Sequence, residues 1–249
     1  MRIVLISDTH GLHDAKLFNL DLKRAIDPNQ YNLLIHAGDI SSVGHQDQVT
    51  RFIYWFMNLQ GWDSKIFIAG NHDMSFEATR KPKPDWLRHL LYEENLSQSD
   101  CDYLEDSGHS IELPEFSRPI KIYGSPWQPV FLDWGFNLPR NGEQLAKVWS
   151  LIPDDTDILI SHCPPYGIRD FVIPGSQPLG CERLRIRVDE LNLLLNVFGH
   201  IHGGYGGAYQ KNTLYVNAST CNEAYYPINK PFIVDLYEEN GEIKTNVIK

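Results

Sequence analysis

Ile66-Phe67-Ile68-Ala69-Gly70-Asn71-His72-Asp73 is an apolar run that stops on three polar residues in succession. Lys65 to Ala69 reads as a buried β-strand, short, apolar and closed by glycine. Burying Asn, His and Asp side by side is costly unless they are bonded or used. The same construction recurs along the chain. Ile3 to Ser7 runs into Asp8-Thr9-His10-Gly11, and Leu33 to Ala37 into Gly38-Asp39. Ile158 to Ile160 runs into Ser161-His162, and Val197-Phe198 into Gly199-His200-Ile201-His202. In open α/β sheets ligands sit at the carboxyl ends of strands, so polar residues far apart in sequence can converge there.

The remaining elements fit that frame. Further strands are expected at Ile120 to Tyr123, Thr213 to Val216 and Phe232 to Tyr237. Helical patterns occupy Gln46 to Leu59, Asp85 to Glu94, Gly142 to Leu151 and Glu182 to Leu193. Alternating strands and helices predict an α/β fold with much parallel sheet. The C-terminal strands lack long helices between them and predict an antiparallel portion. The stretch from Ser125 to Gly142 reads as a long ordered loop, because it mixes Pro, Gly and Asn with Trp127, Phe131, Trp134 and Phe136. With no repeat and no linker, residues 1–249 are expected to form a single domain.

Composition narrows the function. The 249-residue chain carries a formal net charge of -10, which disfavours an extended nucleic-acid or anionic-membrane surface and weakens a nuclease reading. A small phosphate ester is still compatible, because bound divalent ions reverse the local sign. The four cysteines, Cys101, Cys163, Cys181 and Cys221, form no CxxC pair and read as reduced thiols. The apolar run from Ile3 to Ile6 is too short for a signal peptide or a membrane span, so the expected location is cytoplasmic.

Carboxylate, imidazole and amide oxygen together suit Mn, Fe or Zn, whereas the absence of thiolates argues against a closed structural zinc site. A lone DxH or Gly-Asp carries little weight. The conjunction and order of all the motifs carry the argument.

That order, DTH, GD, GNHD, SH and GHIH over residues 8 to 202, resembles the calcineurin-like metallophosphoesterase superfamily. Tyr103 to Ser107, Ile122 to Trp127, Trp134 to Arg140, Cys163-Pro164-Pro165, Gly199 to Gly206 and Asn217 to Cys221 are similar to one branch of it. That branch comprises metallophosphoesterase-domain-containing proteins, akin to class III cyclic-nucleotide phosphodiesterases. The resemblance implies a four-layer α/β/β/α sandwich of two mixed sheets and two divalent metal ions. It implies Asp8, His10, Asp39 and His202 around the first ion, and Asp39, Asn71, His162 and His200 around the second. Asp39 would bridge them, and a hydroxide bridging the ions is the expected nucleophile. His72 would face the substrate, with Asp73 orienting it. Asp39 is followed by Ile40-Ser41-Ser42-Val43-Gly44, without the acidic-arginine pair of the protein phosphatases, which disfavours phosphoprotein substrates.

The expected activity is therefore a phosphodiesterase of small phosphodiesters or cyclic nucleotides. The alternative is a weakly catalytic nucleotide-binding or scaffold protein on the same fold. Arg169, Trp127 and His13 are further candidates for substrate contact. The competing readings are a surface salt bridge for Arg169, core packing for Trp127 and a solvated loop histidine for His13. His36, inside a strand, is expected to be a hydrogen-bonded core residue.

Overall fold

A computed structural model describes residues 1–79, 81–93, 100–173 and 177–248. The first sheet contains β1 (Arg2–Ile6), β2 (Asn32–Ala37), β3 (Ser64–Ile68), β4 (Cys101–Tyr103), β13 (Phe232–Glu239) and β14 (Glu242–Ile248). Its order is β14-β13-β1-β2-β3-β4. The second contains β5 (Ser107–Ile111), β6 (Ile120–Ser125), β9 (Ile158–Ser161), β10 (Leu195–Phe198), β11 (Gly206–Gln210) and β12 (Thr213–Asn217). Its order is β11-β12-β10-β9-β6-β5. A two-stranded ribbon, β7 (Gln128–Pro129) with β8 (Asn137–Leu138), organises the long aromatic loop.

Both sheets are mixed. β1 to β4 run parallel, as do β6, β9, β10 and β12, while β13, β14, β5 and β11 pair antiparallel. Side chains alternate between two apolar layers, as the two-residue period of a strand requires. Ile3, Leu5, Leu33, Ile35, Ile66 and Ile68 share a layer with Ile158, Ile160, Leu195, Val197, Leu214 and Val216 of the other sheet. This layer joins the sheets face to face. The intervening residues, among them Val4, Leu34, Phe67, Leu159, Phe198 and Tyr215, pack outward. Helices α1 (Lys16–Ala25), α2 (Gln46–Asn58), α4 (Glu143–Trp149) and α5 (Glu182–Glu190) cover these outward faces through residues such as Phe18, Phe52, Trp149 and Leu184. The result is the α/β/β/α sandwich.

Some elements differ from the pattern. The helix expected from Asp85 to Glu94 is one turn, α3 (Asp85–Arg88), that widens into a π-type turn over His89–Glu93; Glu94 lies outside the described residues. Helix α1 is not announced by the sequence. It has no side-chain cap at Ala15, and Leu17 and Leu20 stay exposed on the face opposite Phe18 and Leu22. No helix among the described residues is long and apolar enough to cross a membrane. The four cysteines are free and buried.

Candidate metal centre

The carboxyl ends of β1, β2, β3, β9 and β10 meet at one edge of the sandwich, where a parallel bridge from Ser7 to Ser219 ties the two sheets. The turns leaving these strands are tight. Asp8, His10, Asp39 and His200 all have positive φ, at 49°, 44°, 55° and 66°. Asp and His tolerate this region better than most residues, but still at a cost, and such strain concentrates at functional sites. Two glycines let the turns approach. A Cβ on Gly70 would stand 2.3 Å from Asp39 Oδ1, and one on Gly199 would stand 1.9 Å from Asp8 Oδ2.

Seven side chains converge in consequence. His10 Nε2 lies 3.2 Å from His202 Nε2, and Asp8 Oδ1 lies 3.3 Å from the same His202 atom. Asp39 Oδ2 is 3.8 Å from His10 Nε2. The other oxygen of Asp39, Oδ1, is 3.4 Å from His162 Nε2, which is also 3.0 Å from Asn71 Oδ1. Asp39, His162 and His200 offer donor atoms within 4.8 Å of one another, as do Asp8, His10 and His202. Donors bonded to one ion at about 2.0–2.2 Å stand about 3 to 4 Å apart, so both groups have the spacing of a ligand set. Asp39 joins the first of these groups through Oδ1 and reaches the other through His10, which its Oδ2 faces and with which it also groups.

Charge makes the same point. Asp8 and Asp39 are buried. Burial alone would raise their pKa, but His202 beside Asp8 and His162 beside Asp39 hold both carboxyls well below the usual range. Conversely, burial opposes charge on His162 and His202, yet Asp39 and Asp8 draw their imidazoles up to about 9. The cluster pulls positive charge into a buried place, as a cation site must. Asn71 Nδ2 is buried and finds no hydrogen-bond acceptor among the described residues. The donor set and its polarity therefore fit divalent ions.

Outer contacts fix the donors. His162 Nδ1 donates to the Ala37 carbonyl at 2.9 Å and His202 Nδ1 to the Asn222 carbonyl at 2.9 Å, which leaves Nε2 of each turned to the cluster. Asp8 accepts from the His200 amide and from Ser219 Oγ, both at 3.0 Å.

Asp73 does not hold His72. Its carboxylate accepts from the amides of Ile40, Ser41 and Gly70 and from Ser41 Oγ, pinning the Asp39 turn to the Asn71 turn. His72 Nδ1 is held instead by the Ser42 carbonyl at 2.7 Å, and its ring stacks on Trp134. Neither Trp127 nor His13 lies at the cluster. Trp127 is buried, with Nε1 donating to Asp106, and His13 is enclosed by Phe52 and Trp55. Both aromatic surroundings follow from apolar faces the loops turn inward. Arg169 spends its guanidinium on the Gly207 carbonyl. His36 is a buried core residue bonded to Thr9 Oγ1, as its place in β2 suggested. A cavity of about 400 Å³ opens above the cluster, reaching Asp39, Asn71, His72, His200 and His202. Its wall includes Tyr225, Glu223 and Arg140, which the motifs did not announce. Tyr225 follows the Asn217 to Cys221 stretch, and its ring packs edge-on to His10 at 4.8 Å.

The sequence pattern of calcineurin-like phosphoesterases matches residues 1–204. The chain belongs to that family. Human metallophosphoesterase domain-containing protein 1 is 40% identical over 248 residues, an overlap of 94% of this chain and 71% of the relative. Among solved structures, TT1561 of Thermus thermophilus shares the fold with a TM-score of 0.60 at 15% identity, covering 100% of this chain and 99% of the other. The phosphopantetheinyl hydrolase of Mycobacterium tuberculosis does so with a TM-score of 0.54 at 14% identity, covering 92% and 94%. Membership makes the chain a metallophosphoesterase, a metal-dependent hydrolase of phosphoric esters, and gives the buried Asp and His groups their chemical context.

Proposed function

We propose that the chain, as one domain over residues 1–249, is a two-metal phosphodiesterase acting on small phosphodiesters, cyclic nucleotides among them. The observation that carries this reading is Asp39, whose two oxygens face two separate donor groups. Asp8, His10, Asp39 and His202 would hold one ion, and Asp39, Asn71, His162 and His200 the other. Mn, Fe and Zn all suit these donors. Ions bound there supply Lewis-acid charge and lower the pKa of water toward neutrality.

The chain's own groups do the rest. The Asn71 amide, whose Nδ2 has no partner among the described residues, can meet a phosphoryl oxygen as charge builds on it. His72 shares the cavity wall, and with Nδ1 bonded to the Ser42 carbonyl its Nε2 is the ring atom left to carry a proton to a departing alkoxide. Distance alone does not separate His72 from the ligands, since it lies within 4.8 Å of His10 and Asp39 donor atoms. Its stack on Trp134 supports the substrate-facing role, because the indole occupies one face of the ring and ties it to the loop. An alkoxide leaves poorly, so a phosphodiester gains most from such a donor.

Turnover of the Mn-loaded chain on a phosphodiester and on the matching phosphomonoester tests the reading. Preference for the diester is expected. Preference for the monoester or for a phosphoserine peptide would overturn it. Full metal loading with no turnover of either would favour the scaffold alternative.

A further inference from the structure

The cavity above the Asp and His cluster has a floor and a wall of different character. The floor is the donor set. Much of the wall is apolar, formed by Val130, Phe131, Val172, Leu179 and the ring of Tyr225 from three separate loops. These side chains remain exposed, from 39% for Val172 to 56% for Val130. Leu132, Ile173 and Tyr226, next in the same loops, are exposed as well, at 70%, 64% and 64%. Single exposed hydrophobic residues need no explanation, whereas a cluster around one cavity marks a contact surface.

The charged groups of the wall are partly engaged. Arg140 binds the Glu182 carboxylate at 2.8 Å and the carbonyls of Gly180 and Leu179. Glu223 accepts the Gly203 amide. Each therefore has part of its hydrogen-bonding capacity tied to a neighbouring loop. A phosphodiester must place one of its two ester groups against this wall. A group that gains by leaving water is favoured against its apolar part.

We infer that the site selects phosphodiesters in which one ester group is a hydrocarbon chain, seated against Val130, Val172 and Leu179 with its phosphate over the metal cluster. This rests on the phosphodiesterase reading and narrows its substrate class. The hydrocarbon supplies ground-state binding, and the chemistry at phosphorus is unchanged.

Calorimetric titration of the Mn-loaded chain with methyl-, butyl-, hexyl- and octylphosphonate reads the subsite without turnover. Affinity should rise roughly fourfold per added methylene, the factor for fully burying one CH2 group. The double variant Val130→Ser with Leu179→Ser should flatten that rise. A flat series in the wild type, or AMP binding more tightly than octylphosphonate, would overturn the inference. So would sedimentation showing a dimer that excludes octylphosphonate, which would give the rim to a second copy of the chain. Rates on methyl and octyl 4-nitrophenyl phosphate separate the two levels of the account. A rising binding series with no diester turnover would sink the activity and keep the subsite. Turnover of both esters at equal efficiency, with a flat binding series, would sink the subsite and keep the activity.

Discussion

The indole of Trp134 lies against the imidazole of His72, with ring centroids 4.0 Å apart and planes inclined by 27°. The adjacent Gly135 amide donates to the Asn71 carbonyl at 2.9 Å, and the Phe136 amide donates to Glu77. The aromatic loop is thus fastened onto the turn that carries Asn71 and His72. Trp134 fixes the plane of a ring whose Nδ1 is fixed by Ser42.

If His72 protonates the leaving group, His72→Asn should cut turnover roughly 10²- to 10⁴-fold. The loss should be larger for an alkoxide than for a nitrophenolate leaving group. Trp134→Leu should reproduce that leaving-group dependence in weaker form, about tenfold, through kcat rather than KM. Trp134→Phe, which keeps a stacking face, should restore most of it. Metal content measured on each variant should match the wild type. Loss of metal from His72→Asn would make His72 a ligand instead.

Asp73 supports a different prediction. Four donors from two turns converge on its buried carboxylate. Asp73→Ala leaves them unpaired and should destabilise the fold by about 3–5 kcal/mol. Asp73→Asn can still accept from some of them and should cost less. Chemical denaturation of the variants checks both. Equal stability of Asp73→Ala and wild type would show that the two turns hold without this clamp.

His13 gives the chain a pH dependence. Burial, with the Arg51 charge nearby, lowers its pKa from 6.5 to about 4, and neither ring nitrogen finds a partner among the described residues. Between those values the unfolded chain takes up a proton that the folded chain refuses, so stability rises with pH. The contribution is fully present above about 6.5 and is lost as pH falls toward 4, on the order of 3 kcal/mol at most. His13→Leu should flatten this part of the curve of stability against pH. An unchanged curve would mean that His13 does not carry it.

The convergence of the candidate donors was legible in the sequence because each follows a buried strand, and parallel strands bring their carboxyl ends to one edge. Chain order therefore carried spatial information. The contacts around the donors were less legible. Ser42, Trp134, Ser219 and Asn222 hold His72, Asp8 and His202 across gaps of up to 211 residues, through loops with no period to read. His13 and Trp127 look like site residues in sequence because polar tips on motif-flanking loops suggest a mouth. Packing decided otherwise, against Phe52 and Trp55 in one case and through the Asp106 bond in the other. Helix α1 escaped notice because Leu17 and Leu20 blur its apolar stripe.

The central claim is that Asp39 serves two ions at once. Metal content by elemental analysis after Mn loading, measured together with phosphodiester turnover for the wild type and Asp39→Ala, tests it most directly. The account predicts two ions per wild-type chain, with activity that appears only as the second is taken up. It predicts loss of turnover and of much of the bound metal in Asp39→Ala. Two ions and near-normal turnover in Asp39→Ala, or full wild-type activity with a single ion, would contradict it.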